Sequence, residues 1–131
     1  MVEITAAKVL GRFHYKTTDF DPDGTDEDTS YTNVEYIIDD VIDFVNLEAG
    51  TSISSMTGTS PNKTVTVTND QNAVIKMLLP IVLRDTLVSY SKSSSLGPAS
   101  ISESVSQQSV DFLELFQQAL NRLRGVSFQR A

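Results

Sequence analysis

With 131 residues, no cysteine, and 17 acidic against 10 basic side chains, the chain has room for one domain with a modest core and no thiols for disulfides or thiolate-bound metal. Its formal net charge of −7 argues against an electrostatic footprint on nucleic acid, which needs clustered Lys and Arg, but suits a repulsive surface past which DNA slides without adhering. The opening MVEITAAKVLGRFHYK lacks the basic patch, apolar block and small-residue cleavage site of a secretory signal, so the expectation is a protein that stays where it is made.

Val2 to Lys16 reads as extended structure, because Val9, Phe13 and Tyr15 share one parity with Gly11 while Lys8, Arg12, His14 and Lys16 take the other; Leu10 interrupts the polar face. Residues 1–16 are therefore expected to form a strand or an extended arm that pairs with another segment or subunit. His14 is the single histidine and has no nucleophile pattern beside it, which favours a solvated or interface position over catalysis.

Residues 17–30 form an acidic loop containing DFDPDGTDED. Asp19, Asp21, Asp23 and Gly24 match the opening D-x-D-x-D-G of a calcium loop, where alternate carboxylates converge and Gly permits the sharp turn. The twelfth position is Ser30 instead of a bidentate Glu, Pro22 stiffens the loop and no helix is predicted before it, so a solvated loop is the plainer reading.

A helix is expected from Thr32, because T-N-V-E places Glu35 at the third helical position of a capping box. Val34, Ile37, Ile38, Val41, Ile42 and Val45 recur at helical spacing and leave Glu35, Asp39, Asp40 and Asp43 on the other side, with Gly50 as terminator. Residues 51–63 have loop composition, and the β-branched alternation of TVTVT at 64–68 predicts a short strand that pairs with the N-terminal one.

The most apolar stretch, Asn69 to Lys92, is expected to be the central helix, capped by Thr68 or Asn69, with Gln71 completing a box if Thr68 is the cap. Pro80 should kink it without ending it, and Arg84 and Asp85 interrupt the apolar run well short of the roughly 20 positions that span a bilayer. Residues 91–109 are serine-rich around Gly97-Pro98 and are expected to be a mobile linker in an isolated subunit. Ser89-Tyr90-Ser91-Lys92 satisfies S-x-x-K but has neither companion motif of the penicillin-interacting enzymes. The last helix is expected over about 108–124, with Phe112, Leu113, Phe116, Leu120 and Leu123 on one stripe and Gly125 after it. In the tail, residues 126–131, Val126 and Phe128 are candidate partner contacts, as are Leu96 and Ile101 in the serine-rich segment.

The predicted class is thus mainly α (α+β), a single domain with a three-helix core at about 32–49, 69–92 and 108–124, an N-terminal strand and a short strand at 64–68. The capped helix YTNVEYIIDDVIDFVNLEAG, the apolar helix ending LRDTLVSYSK, the linker LGPASISESVS and the helix SVDFLELFQQALNRLRG together resemble head–tail adaptor (head-completion or connector) proteins of tailed viruses. Ser100, Ser102, Glu103 and Ser104 fit the alternating Ser and Glu that precede the final helix in that family. The first sixteen residues and the acidic loop depart from its small all-helical form and read as an added arm for a neighbouring protein.

The resemblance implies a non-catalytic virion protein of the neck, assembled in the host cytoplasm without cofactors. Its subunits would form a homo-oligomeric ring, commonly of twelve, beneath the portal protein, extending the DNA channel and meeting other neck or tail proteins, with no membrane contact. Asp39, Asp40 and Asp43 are the candidate acids for a channel lumen. The alternatives are a tail-terminator or stopper protein of the same neck, whose chains are richer in strands, and a calcium-binding interaction module using Asp19, Asp21 and Asp23. A small enzyme has the least support, since scattered carboxylates form no recognisable catalytic pair.

Overall fold

Ala6, Val9, Leu10 and Phe13 recur at spacings of three and four, and this helical period, not the alternation around it, governs the N-terminal segment. The computed structural model describes residues 1–92 and 98–125, in the order β1 (Val2–Ile4), α1 (Ala6–Arg12), α2 (Glu27–Ala49), β2 (Val65–Val67), α3 (Asn69–Lys92), α4 (Pro98–Ser106) and α5 (Val110–Leu123). The fold is mainly helical with one small sheet, so the expected class holds.

The expected strand over residues 1–16 is corrected to three strand residues followed by a helix. Thr5 caps α1 by accepting a hydrogen bond from the Lys8 amide at 3.1 Å, and Ala6, Val9 and Leu10 are buried. After Arg12, the Tyr15 amide donates to the Leu10 carbonyl and the His14 amide to that of Gly11, a paired closure that requires a left-handed residue. His14 takes that conformation at φ 64° and is exposed. β1 runs antiparallel to β2, with Val2 opposite Val67 and Ile4 opposite Val65, so the expected pairing of the two strand segments is present. Val65 and Val67 face the core while Thr66 is exposed.

The second helix begins five residues before the expected start. Asp26 is its cap, its carboxylate accepting from the Asp28 amide at 3.0 Å and the Thr29 hydroxyl at 2.8 Å, and Glu27 and Asp28 suit the positive end of the helix dipole. Thr32 is therefore inside α2, and Glu35 is not part of a capping box. It is buried at 2% exposure and accepts from the Ser60 hydroxyl at 2.7 Å and the Lys63 amide at 2.8 Å. One carboxylate on α2 thus fastens the chain that returns to β2. Asn46 fastens the beginning of the same connection, exchanging hydrogen bonds with both backbone groups of Ile53. α2 ends as expected at Gly50, which is left-handed at φ 68°.

α3 carries the cap that the sequence predicts: the Thr68 amide donates to the Gln71 side chain at 2.9 Å, and the Gln71 amide donates back to the Thr68 hydroxyl at 3.2 Å. The helix continues through Pro80 to Lys92. Between Gln71 and Tyr90 only Arg84 and Val88 are exposed, since α2, α4 and α5 all pack on this helix. Among the described residues no helix is long and apolar enough to cross a membrane.

The expected mobile linker is corrected as well, because residues 98–106 form α4. Ile101 and Val105 are buried against α2 and α3, and the Ser104 hydroxyl donates to the Asp85 carboxylate. Ser109 then caps α5, accepting from the Phe112 amide. Phe112 stacks on Phe116, with ring centroids 5.9 Å apart, and Phe116 and Leu120 enter the core. Just beyond α5, Arg124 donates twice to the Glu48 carbonyl, a cation at the negative end of α2.

Replacing Glu35 tests the joint between α2 and the returning chain. Glu35→Ala leaves the Lys63 amide and the Ser60 hydroxyl without their acceptor, and a loss of about 1–3 kcal/mol is expected in urea unfolding. A loss below about 0.5 kcal/mol, the scale of an ordinary surface substitution, would show that the joint is dispensable.

Candidate functional site

The acidic loop is a structural device before it is anything else. Asp21 is buried at 7% exposure, and its two oxygens accept from the amides of Asp23 at 3.2 Å, Thr25 at 3.1 Å and Asp26 at 2.8 Å. These bonds, led by that from Asp26, hold its carboxyl below the usual range despite the opposing effect of burial. Asp19 turns back to accept from the Lys16 amide at 2.8 Å. Gly24 takes φ 73°, which lets the chain bend around Asp21. The candidate calcium ligands Asp19, Asp21 and Asp23 therefore do not converge, and among the described residues no group of three or more His, Cys, Asp or Glu side chains is placed to hold a metal ion.

Phe20 explains why this loop sits where it does. Its ring is fully buried and meets Tyr15 edge to face at 5.1 Å. Its amide donates to the Ser30 hydroxyl at 3.0 Å, and its carbonyl accepts from the Asn33 amide group at 2.8 Å and the Tyr90 hydroxyl at 3.0 Å. The loop is thereby pinned to α2 and to the C-terminal part of α3.

The three candidate lumen acids divide. Asp39 accepts from the Met56 amide at 2.8 Å and so serves the 50–64 connection. Asp43 is exposed and Asp40 half-buried. Burial raises the Asp40 pKa first, and the nearby charges of Asp43 and Asp39 raise it further. Tyr36 and Leu47, 60% and 78% exposed, lie on the same helix face as Asp40 and Asp43, at offsets of four, seven and eleven residues from Tyr36. The result is an outward stripe of two acids with an apolar side chain at each end.

Among the candidate partner contacts, Ile101 is corrected: at 3% exposure it belongs to the intramolecular core. Leu96, Val126 and Phe128 lie outside the described residues.

The surface that periodicity did not reveal is a cleft of about 310 Å³ where β1, α1 and α3 meet, lined by apolar Val2, Phe13 and Leu79, by Lys8, Arg12 and Lys76, and by one acid, Glu3. A second cleft of about 430 Å³ adjoins it through Lys76 and runs between α3 and α5, past Met77 and Leu115 to Arg122. Lys8 is paired with Glu3 at 3.0 Å, while Arg12, Lys76 and Arg122 form no ion pair among the described residues. A usable signal was present: Lys76 interrupts the longest apolar run, and Lys8 and Arg12 are four apart, which on a helix is one face.

Fold and surface together define a mainly helical α+β domain with an acidic, apolar-ended helix stripe and a basic, apolar groove. No family model matches the chain, and no curated protein and no solved structure matches it.

The two perturbed carboxylates give opposite pH signatures. With a folded pKa below the unfolded value of about 3.9, Asp21 contributes stability that is present above that value and is lost as pH falls through the folded pKa; Asp21→Asn should lower the melting temperature at neutral pH and flatten the acid limb. Asp40 has the reverse sign: its folded pKa is raised, so ionisation penalises the fold once pH climbs past about 3.9. Asp40→Asn should therefore stabilise at pH 7 by up to roughly 1 kcal/mol, less in high salt, with no gain below the unfolded pKa. Melting curves across pH check both, and equal shifts at all pH values would refute the assignments.

Proposed function

We propose that this chain is a non-catalytic subunit of a closed ring, with the neck of a tailed-virus particle as the assembly that its helices resemble. The observation that carries the subunit reading is the placement of large apolar side chains outside an already complete core: Tyr36 and Leu47 on α2, Val88 on α3, and Val110 and Leu115 on α5 are 46–78% exposed. Scattered singly such side chains are ordinary, but Tyr36 and Leu47 share one face of α2 and Leu115 lies with Met77 in the cleft between α3 and α5, two faces that suit cover by neighbours.

The virion assignment is supported by the order and texture of the helices at 27–49, 69–92 and 110–123. In that role the ring sits beneath the portal, continues the DNA channel and presents its other side to the next neck protein. An acidic overall charge suits such a conduit, because like charge keeps a passing polyanion from adhering. A tail-terminator is the less favoured neck role, since the two strands are three residues each.

Native mass spectrometry of the purified chain, alone and with a portal protein of a tailed virus, tests the reading. A single closed species, with twelve copies as the expected number, is the supporting result. A chain that stays monomeric under both conditions would contradict it.

A further inference from the structure

We propose that neighbouring copies join by seating the α2 stripe of one copy, Tyr36, Asp40, Asp43 and Leu47, in the basic groove over α3 of the next, against Arg12, Lys76 and Arg122. The inference rests on the ring reading and assigns the two halves of its repeating contact.

Three observations carry it. The first is charge: in a chain of net charge −7, the groove gathers three cations that have no ion pair among the described residues, while the stripe presents two carboxylates with none either. Complementary patches of this kind fix orientation and register between partners. The second is apolar matching. Tyr36 and Leu47 bracket the acids over about 16 Å of helix, and the groove offers Val2, Phe13, Met77 and Leu115 around its cations. An amphipathic helix face laid in a groove is anchored by side chains at this spacing. Burial raises the Asp40 pKa first, and the further rise from the charges of Asp43 and Asp39 is the part that an approaching Lys or Arg relieves.

The third observation is position. α2 and α3 pack on each other through Val34, Ile38, Val41 and Val45 on one side and Val74, Ile75, Leu78 and Val82 on the other, all buried. The stripe is the solvent side of α2, and the groove is lined by residues of β1, α1, α3 and α5 with none from α2. The two surfaces thus have no residue in common. Seating the stripe of one copy in the groove of the next joins two different patches, the head-to-tail type of contact that closes into a ring or runs on as a filament.

Charge exchange between two variants tests the pairing. Arg12→Glu with Lys76→Glu reverses the groove; Asp40→Lys with Asp43→Lys reverses the stripe; circular dichroism confirms that each keeps the wild-type helix content. In sedimentation at low salt, each variant alone should self-associate at least roughly tenfold more weakly than wild type, and the equimolar mixture should recover assembly as alternating copies. Wild-type association should also weaken in molar salt, where screening shortens to about 3 Å. Variants that associate as wild type does, or a mixture no better than its parts while wild type assembles, would overturn the pairing and leave the ring reading standing. A wild-type chain that remains monomeric at high concentration and low salt would overturn the pairing, and one that also stays monomeric with portal protein would overturn the ring reading too.

Discussion

Helix α3 has so little surface fit for water that the rest of the chain must cover it. Val74, Ile75, Leu78, Leu79, Val82 and Leu83 are buried in succession, and α2 supplies the matching row from Val34 to Val45. Truncating any one of the leucines or isoleucines among these to Ala costs about 2–5 kcal/mol in a typical core, a large share of the 5–15 kcal/mol by which domains are stable. The remaining elements follow from what this pair leaves open. α1 and the two strands close one end, α4 lies across both helices with Ile101 and Val105, and α5 adds Phe116 and Leu120.

Polar contacts then decide how the long connections run over that core. Glu35 and Asn46 accept from backbone amides 28 and 7 residues away, Asp21 holds the amides of its own turn, the Asn33 and Tyr90 side chains hold the Phe20 carbonyl, and among the described residues every buried side-chain nitrogen or oxygen has a partner. Such bonds cost most when half-made, so they fix one path for each loop. They also use up several of the acids that the sequence offers as candidate sites. Asp19, Asp21 and Asp39 are employed in holding backbone, which leaves Asp40 and Asp43 as the outward pair among the candidate lumen acids.

Local signals that involve near neighbours were legible in the sequence. The Thr68–Gln71 box, the Gly50 terminator, the β-branched run at 65–67 and the apolar stripes of α2, α3 and α5 all appear where their chemistry places them. The failures have a common cause in competing patterns. Residues 2–16 satisfy alternation and helical spacing at once, and the Thr5 cap with the apolar set Ala6, Val9, Leu10 decided for a helix. Thr32 and Glu35 imitate a cap, but Asp26 opened the helix earlier and tertiary contact claimed the carboxylate. The serine-rich stretch hides one helical pair, Ile101 and Val105, among residues that taken singly favour loops. The basic groove was legible only in pieces, Lys8 and Arg12 four apart and Lys76 within an apolar run, because its cations come from α1, α3 and α5, which only packing brings together.

Native-state hydrogen exchange on α3 examines the organising role of this helix most directly. If every other element is built onto α3, the amides from Val74 to Leu83 should open only with the whole molecule, their exchange showing the same denaturant slope as global unfolding. Exchange of these amides through a local opening, while α2 or α5 stays protected, would contradict it.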